Sequence, residues 1–281
     1  MDTSRILVGD HTGIIKIIDP NIRQLGSPGK HKLVLNIHTK DEVFWSVHEN
    51  GLISEFDDSG QFNTLREPSG KILDAYPINN SICVTFHNGT IELDTSLLQT
   101  RQTNCHGASI LLQDLALCGT TPVELWDLER QKEKWKGWTL KPKEEVQDNK
   151  CWLKGSEIIT ITGNNEIFMF DIRAGKKPRR VSQLNKPGQT FFYPLQTIFN
   201  SEEFLFVGDT VGNVYKVDND LKVLGKTKGR STGSVLSIFE KSGILYSCGL
   251  DRRLMIHDVK TMNLLDRKYL WQKLTKVIAV D

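Results

Sequence analysis

The residues with chemistry to offer are thinly spread. The seven histidines, His11, His31, His38, His48, His87, His106 and His257, are scattered, and no pair has the spacing of a zinc site. The stretches Val8-Gly9-Asp10-His11-Thr12-Gly13 and Val207-Gly208-Asp209 would suit a phosphate if a helix followed to add its N-terminal amides, but each runs from one extended segment into another. No GxSxG elbow, Walker loop or dinucleotide fingerprint is present. Seven aspartates, Asp19, Asp57, Asp94, Asp127, Asp171, Asp218 and Asp258, recur at the ends of apolar runs. Seven acids on one rim would suggest a metal ring, but aspartate at a turn more simply bonds its own backbone. We therefore expect no catalytic residue, no metal and no cofactor.

The five cysteines, Cys83, Cys105, Cys118, Cys151 and Cys248, form no CxxC pair, and an odd number argues against a disulfide framework. Cys83, Cys118 and Cys248 fall in expected inner strands, where a buried thiol acts as a small apolar group. With no apolar stretch long enough to span a membrane, and no signal-peptide core in MDTSRILVGD, a reducing, intracellular setting is expected. The net charge is only +2, so nucleic-acid binding would have to come from local clustering.

The aspartates mark a repeat. VGDHTGIIKIID, SVHENGLISEFD, VTFHNGTIELD, LCGTTPVELWD, TITGNNEIFMFD, FVGDTVGNVYKVD and SCGLDRRLMIHD each join two extended runs by a short turn, and successive aspartates lie 38, 37, 33, 44, 47 and 40 residues apart. A period of about 40–45 residues is that of WD-repeat propellers. The turns are Thr12-Gly13, Asn50-Gly51, Asn88-Gly89, Asn164-Asn165 and Val211-Gly212, with Thr120-Thr121-Pro122 and Asp251-Arg252 less typical. Glycine and asparagine tolerate the positive φ that such turns demand. The expected fold is all-β, a seven-bladed WD-repeat β-propeller occupying residues 1–281 as one domain. With strands named a to d, blade 6 reads as 191–199, 202–209, 214–218 and 221–227, and blade 7 follows as VLSIFEK, GILYSCG, RLMIHDV and NLLDRKYL. The chain starts in strand b of its first blade, so LTKVIAV (274–280) is expected to supply strand a. That blade is then shared between 1–30 and 273–281, and two sheet edges are removed.

Within this class, the C-terminal third resembles a nucleolar WD-repeat family of large-ribosomal-subunit assembly factors. The similarity is carried by Ser247-Cys248-Gly249-Leu250-Asp251-Arg252 followed by LMIHDVKT, by Leu224-Gly225, by the small-residue loop from Gly229 to Ser234, and by CGTTPVELWDLE (118–129). The chain departs from the family pattern at WKGWTLKPKEEVQDNKCW (135–152), and it stops at the closing strand where many members run on into a lysine-rich tail. The resemblance implies a nuclear and nucleolar protein that binds pre-ribosomal proteins and ribosomal RNA. It implies removal from the particle by an AAA-type ATPase.

Strand order places the b–c and d–a connections on one face of such a fold. There the sequence sets Lys30, Lys32, Lys136, Lys141, Lys143, Lys228, Arg230, Arg252, Arg253 and Lys273, together with Trp138 and Trp271. Aromatics among cations suit RNA by stacking and phosphate contact, or an acidic protein with the tryptophans as anchors. Glu67, Glu144 and Glu145 dilute this face. Arg252 and Arg253 stand out, because glycine or asparagine would fit their turn more easily. In a c–d loop on the opposite face, AGKKPRRV brings Lys176, Lys177, Arg179 and Arg180 together, as an import signal, a phosphate contact or a solvated turn. Two rivals to an assembly factor are a generic adaptor for a peptide or protein unrelated to ribosomes, and a propeller enzyme with a metal or perturbed acids in its central channel. A closed propeller gives no reason to expect more than a monomer.

Overall fold

The computed structural model describes residues 5–19, 21–26, 32–40, 43–57, 59–67, 70–78, 81–93, 96–100, 105–119, 123–137, 148–184, 193–229 and 231–280. These form seven four-stranded antiparallel sheets, each ordered a-b-c-d, the arrangement of a seven-bladed β-propeller. Among the described residues, no helix is long and apolar enough to cross a membrane.

The chain divides into two compact units, one comprising residues 1–74, 211–214 and 226–281, the other 75–210 and 215–225. The first holds blade 2 (Val34–Lys40, Val43–His48, Ile53–Phe56, Phe62–Arg66), blade 7 (Val235–Lys241, Ile244–Gly249, Arg253–Asp258, Leu264–Tyr269) and blade 1. Blade 1 takes strand a from Leu274–Val280 and continues through Arg5–Asp10, Ile15–Asp19 and Asn21–Gly26. The pairing of Leu7 with Ile278 and Val8 with Val277 places the last strand against the first, at the residues expected from the sequence. Thr275 adds to this junction by donating to the carbonyls of Gly9 and Val34.

The second unit holds blades 4 and 5 and most of blades 3 and 6. Blade 4 comprises Cys105–Leu111, Asp114–Gly119, Glu124–Asp127 and Lys132–Lys136, and blade 5 comprises Asp148–Lys154, Glu157–Thr162, Glu166–Asp171 and Arg180–Gln183. Blade 6 runs Leu195–Asn200, Leu205–Asp209, Val214–Val217 and Val223–Lys226; strands b to d lie within their expected segments, and strand a runs one residue past its expected end at 199. Blade 3 is Asp74–Ile78, Ser81–Thr85, Thr90–Leu93 and Ser96–Gln99.

Inner strands are buried on both faces, which is why they read as nearly continuous apolar runs. In strand b of blade 1, Ile6 and Val8 join a core with Tyr246, Cys248 and Leu254, whereas Leu7 joins another with Val34, Ile37 and Phe44. In the second unit, Ile158, Phe168 and Phe170 pack on the blade 4 residues Ala116 and Leu125, while Ile159, Ile161 and Met169 pack on Ile198 and Val207. Outer strands such as Asn21–Gly26 and Leu264–Tyr269 are mostly exposed, and correspondingly polar.

The b–c turns behave as their residues require. The second turn residue has positive φ at Gly13 (86°), Asn165 (64°) and Gly212 (94°), and a Cβ at Gly212 would lie 2.2 Å from the Ser231 carbonyl oxygen. The blade 4 turn at 120–122 lies outside the described residues.

Candidate partner-binding surface at the blade 7 and blade 1 connections

Five of the terminal aspartates, Asp57, Asp127, Asp171, Asp218 and Asp258, serve their own c–d turns. Asp57 accepts from the Ser59 amide and hydroxyl, Asp127 from the Arg130 amide, Asp218 from the Asp220 and Lys222 amides, and Asp258 from the Thr261 amide and hydroxyl. The Ser59 hydroxyl holds the Asp57 carboxyl below its ordinary range, and that of Thr261 does the same at Asp258. These carboxylates are turn caps. Asp94 lies outside the described residues.

All five cysteines are buried, including the three expected in inner strands. Burial pushes the Cys105 thiol up to about 12, and that of Cys248 higher still, so both stay protonated and poorly nucleophilic at neutral pH. Near Cys105, Glu124 is fully buried: Oε2 accepts from the Trp126 indole at 3.0 Å, and Oε1 has no partner among the described residues.

The b–c turn of blade 7 is tightly built. Strand b ends at Gly249, where a Cβ would lie 1.9 Å from the Ser234 carbonyl oxygen. The Leu250 amide donates to that oxygen at 3.1 Å, and the Arg252 amide closes the turn onto the Gly249 carbonyl at 3.3 Å. Asp251 accepts from the amides of Arg253 and Thr232, and so ties the turn to its neighbouring loop. Arg252 has φ of 67°. The expectation that this turn would favour glycine or asparagine therefore holds at Arg252, and Arg253 lies outside the left-handed region.

The adjoining connection, from strand d of blade 7 to strand a of blade 1, carries a second strained residue. Trp271 has φ of 70°, and the Gln272 amide donates across it to the Leu270 carbonyl at 2.8 Å, as in a γ-turn. Left-handed backbone costs about 1–2 kcal/mol for a residue with a side chain. It persists where the surroundings over-determine it.

Those surroundings are visible. Lys16, buried in strand c of blade 1, donates to the Leu270 carbonyl at 2.8 Å, to Asp10 Oδ2 at 3.3 Å and to the Gln272 side-chain oxygen. Asp10, also buried, accepts from the Thr12 amide and hydroxyl and from the Ile14 amide. Burial lowers the Lys16 pKa, and Asp10 opposes that shift. The Leu270 amide donates to the Arg252 carbonyl and the His11 amide to the Lys273 carbonyl, while the Leu270 side chain is fully buried. Both connections are thus fixed from beneath.

Above this base, Trp271 is 74% exposed, Tyr269 46% and Leu250 43%. The Tyr269 and Trp271 rings meet edge-on, with centroids 5.4 Å apart and planes at 66°. Arg252 Nη1 lies 3.4 Å from the Tyr269 hydroxyl as its donor. Arg252 and Lys273 are exposed, and Arg253 is half-buried.

Two buried histidines of the same unit hold lysine carbonyls. His48 Nδ1 lies 3.4 Å from the Lys32 carbonyl oxygen, and His257 Nε2 lies 3.1 Å from that of Lys228; the side chains of both lysines are exposed. Burial lowers the pKa of each histidine.

The structure thus brings Arg252, Arg253, Trp271 and Lys273 together on two bonded connections. Lys32 and Lys228 stand on d–a connections of the same unit, and Lys136 ends strand d of blade 4 in the other unit. Lys30, Trp138, Lys141, Lys143 and Arg230 lie outside the described residues. Sequence reasoning missed Leu250, Tyr269 and the Lys16–Asp10 base. A lysine inside IIKIID, where alternation assigns it to an interior, was the available signal for the last.

The Lys176–Arg180 loop is braced differently. Asp171 accepts from the Arg173 amide and guanidinium and lies 3.6 Å from Arg179, while Arg180 pairs with Asp220 at 2.7 Å and donates to the Asn219 carbonyl. Hydrogen bonds from Arg173 hold the Asp171 carboxyl below its ordinary range. Lys176 and Lys177 are exposed.

No family model matches the chain. A curated relative, the WD repeat-containing protein DDB_G0290555 of Dictyostelium discoideum, is 28% identical over 166 residues, which cover 56% of this chain and 32% of the relative. The chain thus spans about a third of that protein's length. Among solved structures, the computationally designed Ika8 protein matches with a TM-score of 0.66 over 90% of this chain and 94% of its own, at 11% identity. Together with the seven sheets, these matches support a WD-repeat β-propeller. Such propellers are generally non-catalytic scaffolds or adaptors for protein partners.

Proposed function

We propose that this propeller is a non-catalytic assembly factor of the large ribosomal subunit, acting in the nucleus and nucleolus. A rigid platform presents loops to pre-ribosomal proteins and ribosomal RNA, and leaves when an AAA-type ATPase extracts it. The observation that carries the reading is the stretch Ser247 to Arg252 with the strand LMIHDVKT, the residues of the family resemblance. Here they build the fixed turn beside Trp271. Preorganised loops limit the entropy lost on docking, so several modest contacts suffice.

The test is affinity purification of the tagged chain from nuclear extract, wild type against Arg252→Ala/Arg253→Ala. Large-subunit precursor RNA and proteins should be recovered, in a salt-sensitive manner where RNA phosphates are contacted, and recovery should fall in the double variant. Recovery without ribosomal precursors would leave the alternative, an adaptor for an unrelated protein or peptide. The apolar exposure at Leu250, Tyr269 and Trp271 is what favours that second reading.

A further inference from the structure

We infer that the connections 250–252 and 269–273 form a docking site for a short acidic protein segment that carries an apolar side chain. The inference rests on the scaffold reading above and names the partner class of that surface. Three observations lead to it.

The first is strain kept in place. Arg252 and Trp271 both hold left-handed φ, at 67° and 70°, although glycine would relieve each. Their backbones are joined through the Leu270 amide and Arg252 carbonyl, and the buried Lys16 clamps Leu270 and Gln272. Neither strained side chain serves the core: Arg252 is exposed, and Trp271 is 74% exposed. A structure that strains two large residues in order to display them is preorganised for a partner.

The second is composition. Leu250, Tyr269 and Trp271 supply apolar area; Arg252, Arg253 and Lys273 supply positive charge on the same two connections. Asp251, the one acid at 250–252, faces the amides of Arg253 and Thr232. Carboxylates on the partner match the arginine forks and the lysine, and an apolar residue matches the tryptophan.

The third separates protein from nucleic acid. Successive bases stack on open, roughly parallel aromatic faces. Here the two rings stand at 66° with the edge of one toward the other, and Arg252 contacts the Tyr269 hydroxyl. Leu250 adds an aliphatic contact that a base does not need.

The test uses the purified full chain and a short fluorescein-labelled peptide of alternating aspartate and glutamate with one central leucine, read by fluorescence anisotropy. A lysine version of the peptide and a labelled oligouridylate are run beside it. The acidic peptide should bind in a salt-sensitive way, and the lysine peptide should not. Trp271→Gly and Arg252→Gly should each weaken binding by about tenfold or more. Each variant should melt at the same or a higher temperature than wild type, because glycine relieves the backbone. Loss of binding with unchanged or raised stability is what a purely structural role would not give. No binding of the acidic peptide, binding that survives both substitutions, or tighter binding of oligouridylate at the same residues overturns the inference. Because the assay contains no ribosomal component, its failure leaves the co-purification result untouched, and a failed co-purification leaves this site standing.

Discussion

Two basic regions of this molecule look alike in sequence and differ in structure. The loop 174–180 of blade 5 carries four cations in five residues, yet Arg179 and Arg180 are set against Asp171 and Asp220, and the neighbouring Arg173 caps Asp171 as well. The blade 7 and blade 1 connections carry fewer cations. Their one acid, Asp251, is aimed at backbone amides, and the polar fixing is done from below by Lys16 and Asp10. In the first region the two arginines hold a turn while Lys176 and Lys177 stay exposed; in the second the turn is held by buried groups, and Arg252 and Lys273 are exposed. A count of lysines and arginines does not tell the two regions apart, whereas backbone strain combined with exposure does.

The strongest way to break this contrast is Lys16→Met. It removes the ammonium beneath Leu270 and Gln272 and leaves Asp10 buried, and breaking a buried pair in this way costs about 3–5 kcal/mol. Urea unfolding measures it; a loss below about 1 kcal/mol, the scale of a surface ion pair, would show that the connection is not held from beneath. The double variant Asp10→Leu/Lys16→Met should lose less than Lys16→Met alone, because no lone charge remains.

Arg252→Gly tests the strain itself. The folded protein should gain about 1 kcal/mol in the same unfolding assay, as a left-handed site passes to the residue that tolerates it. A loss of that size would mean that the side chain contributes to the fold.

Acid should then resolve the two regions by pH window. His48 and His257 are held below their ordinary 6.5 by burial, so the unfolded chain takes up their protons at higher pH than the folded one. Their contribution is whole above that value and declines as pH falls through it. Asp171 is depressed below its ordinary 3.8 chiefly by Arg173, so its contribution is present above that value and is lost only as pH falls through the lower, folded range. Hydrogen exchange followed from about pH 7.5 downward should therefore loosen the amides around Lys32 and Lys228 before those of residues 171–174. The reverse order would contradict the assignment.

The smallest effect is expected at Lys176→Ala/Lys177→Ala. Both side chains are exposed, and stability should stay within about 0.5 kcal/mol of wild type. Any change confined to nuclear accumulation would then belong to import rather than to folding.

Inner strands were legible because burial on both faces imposes apolar runs, as in ILYSCG and EIFMFD, and the aspartates showed where each run stops. The closing strand was legible for the same reason: LTKVIAV is apolar and had no other blade to join. Outer strands such as Lys132–Lys136 and Arg180–Gln183 carry a weaker pattern, since only one edge is paired and much of their surface is wet. Of the site, Arg252 and Trp271 were visible as residue types in turns. Tyr269 and Leu250 were not, because each reads as an ordinary strand or turn residue until its exposure is known.

The number of blades, their order and the positions of their turns follow from local alternation and from which residues accept positive φ, so they can be read along the chain. Which charges are buried, paired or exposed emerges only in the folded chain. Whether Lys16 lies under Leu270, or Arg180 beside Asp220, depends on strands more than 200 residues apart in one case and 39 to 40 in the other. No local pattern encodes that distance, since a charge is free or bound according to what the fold brings against it.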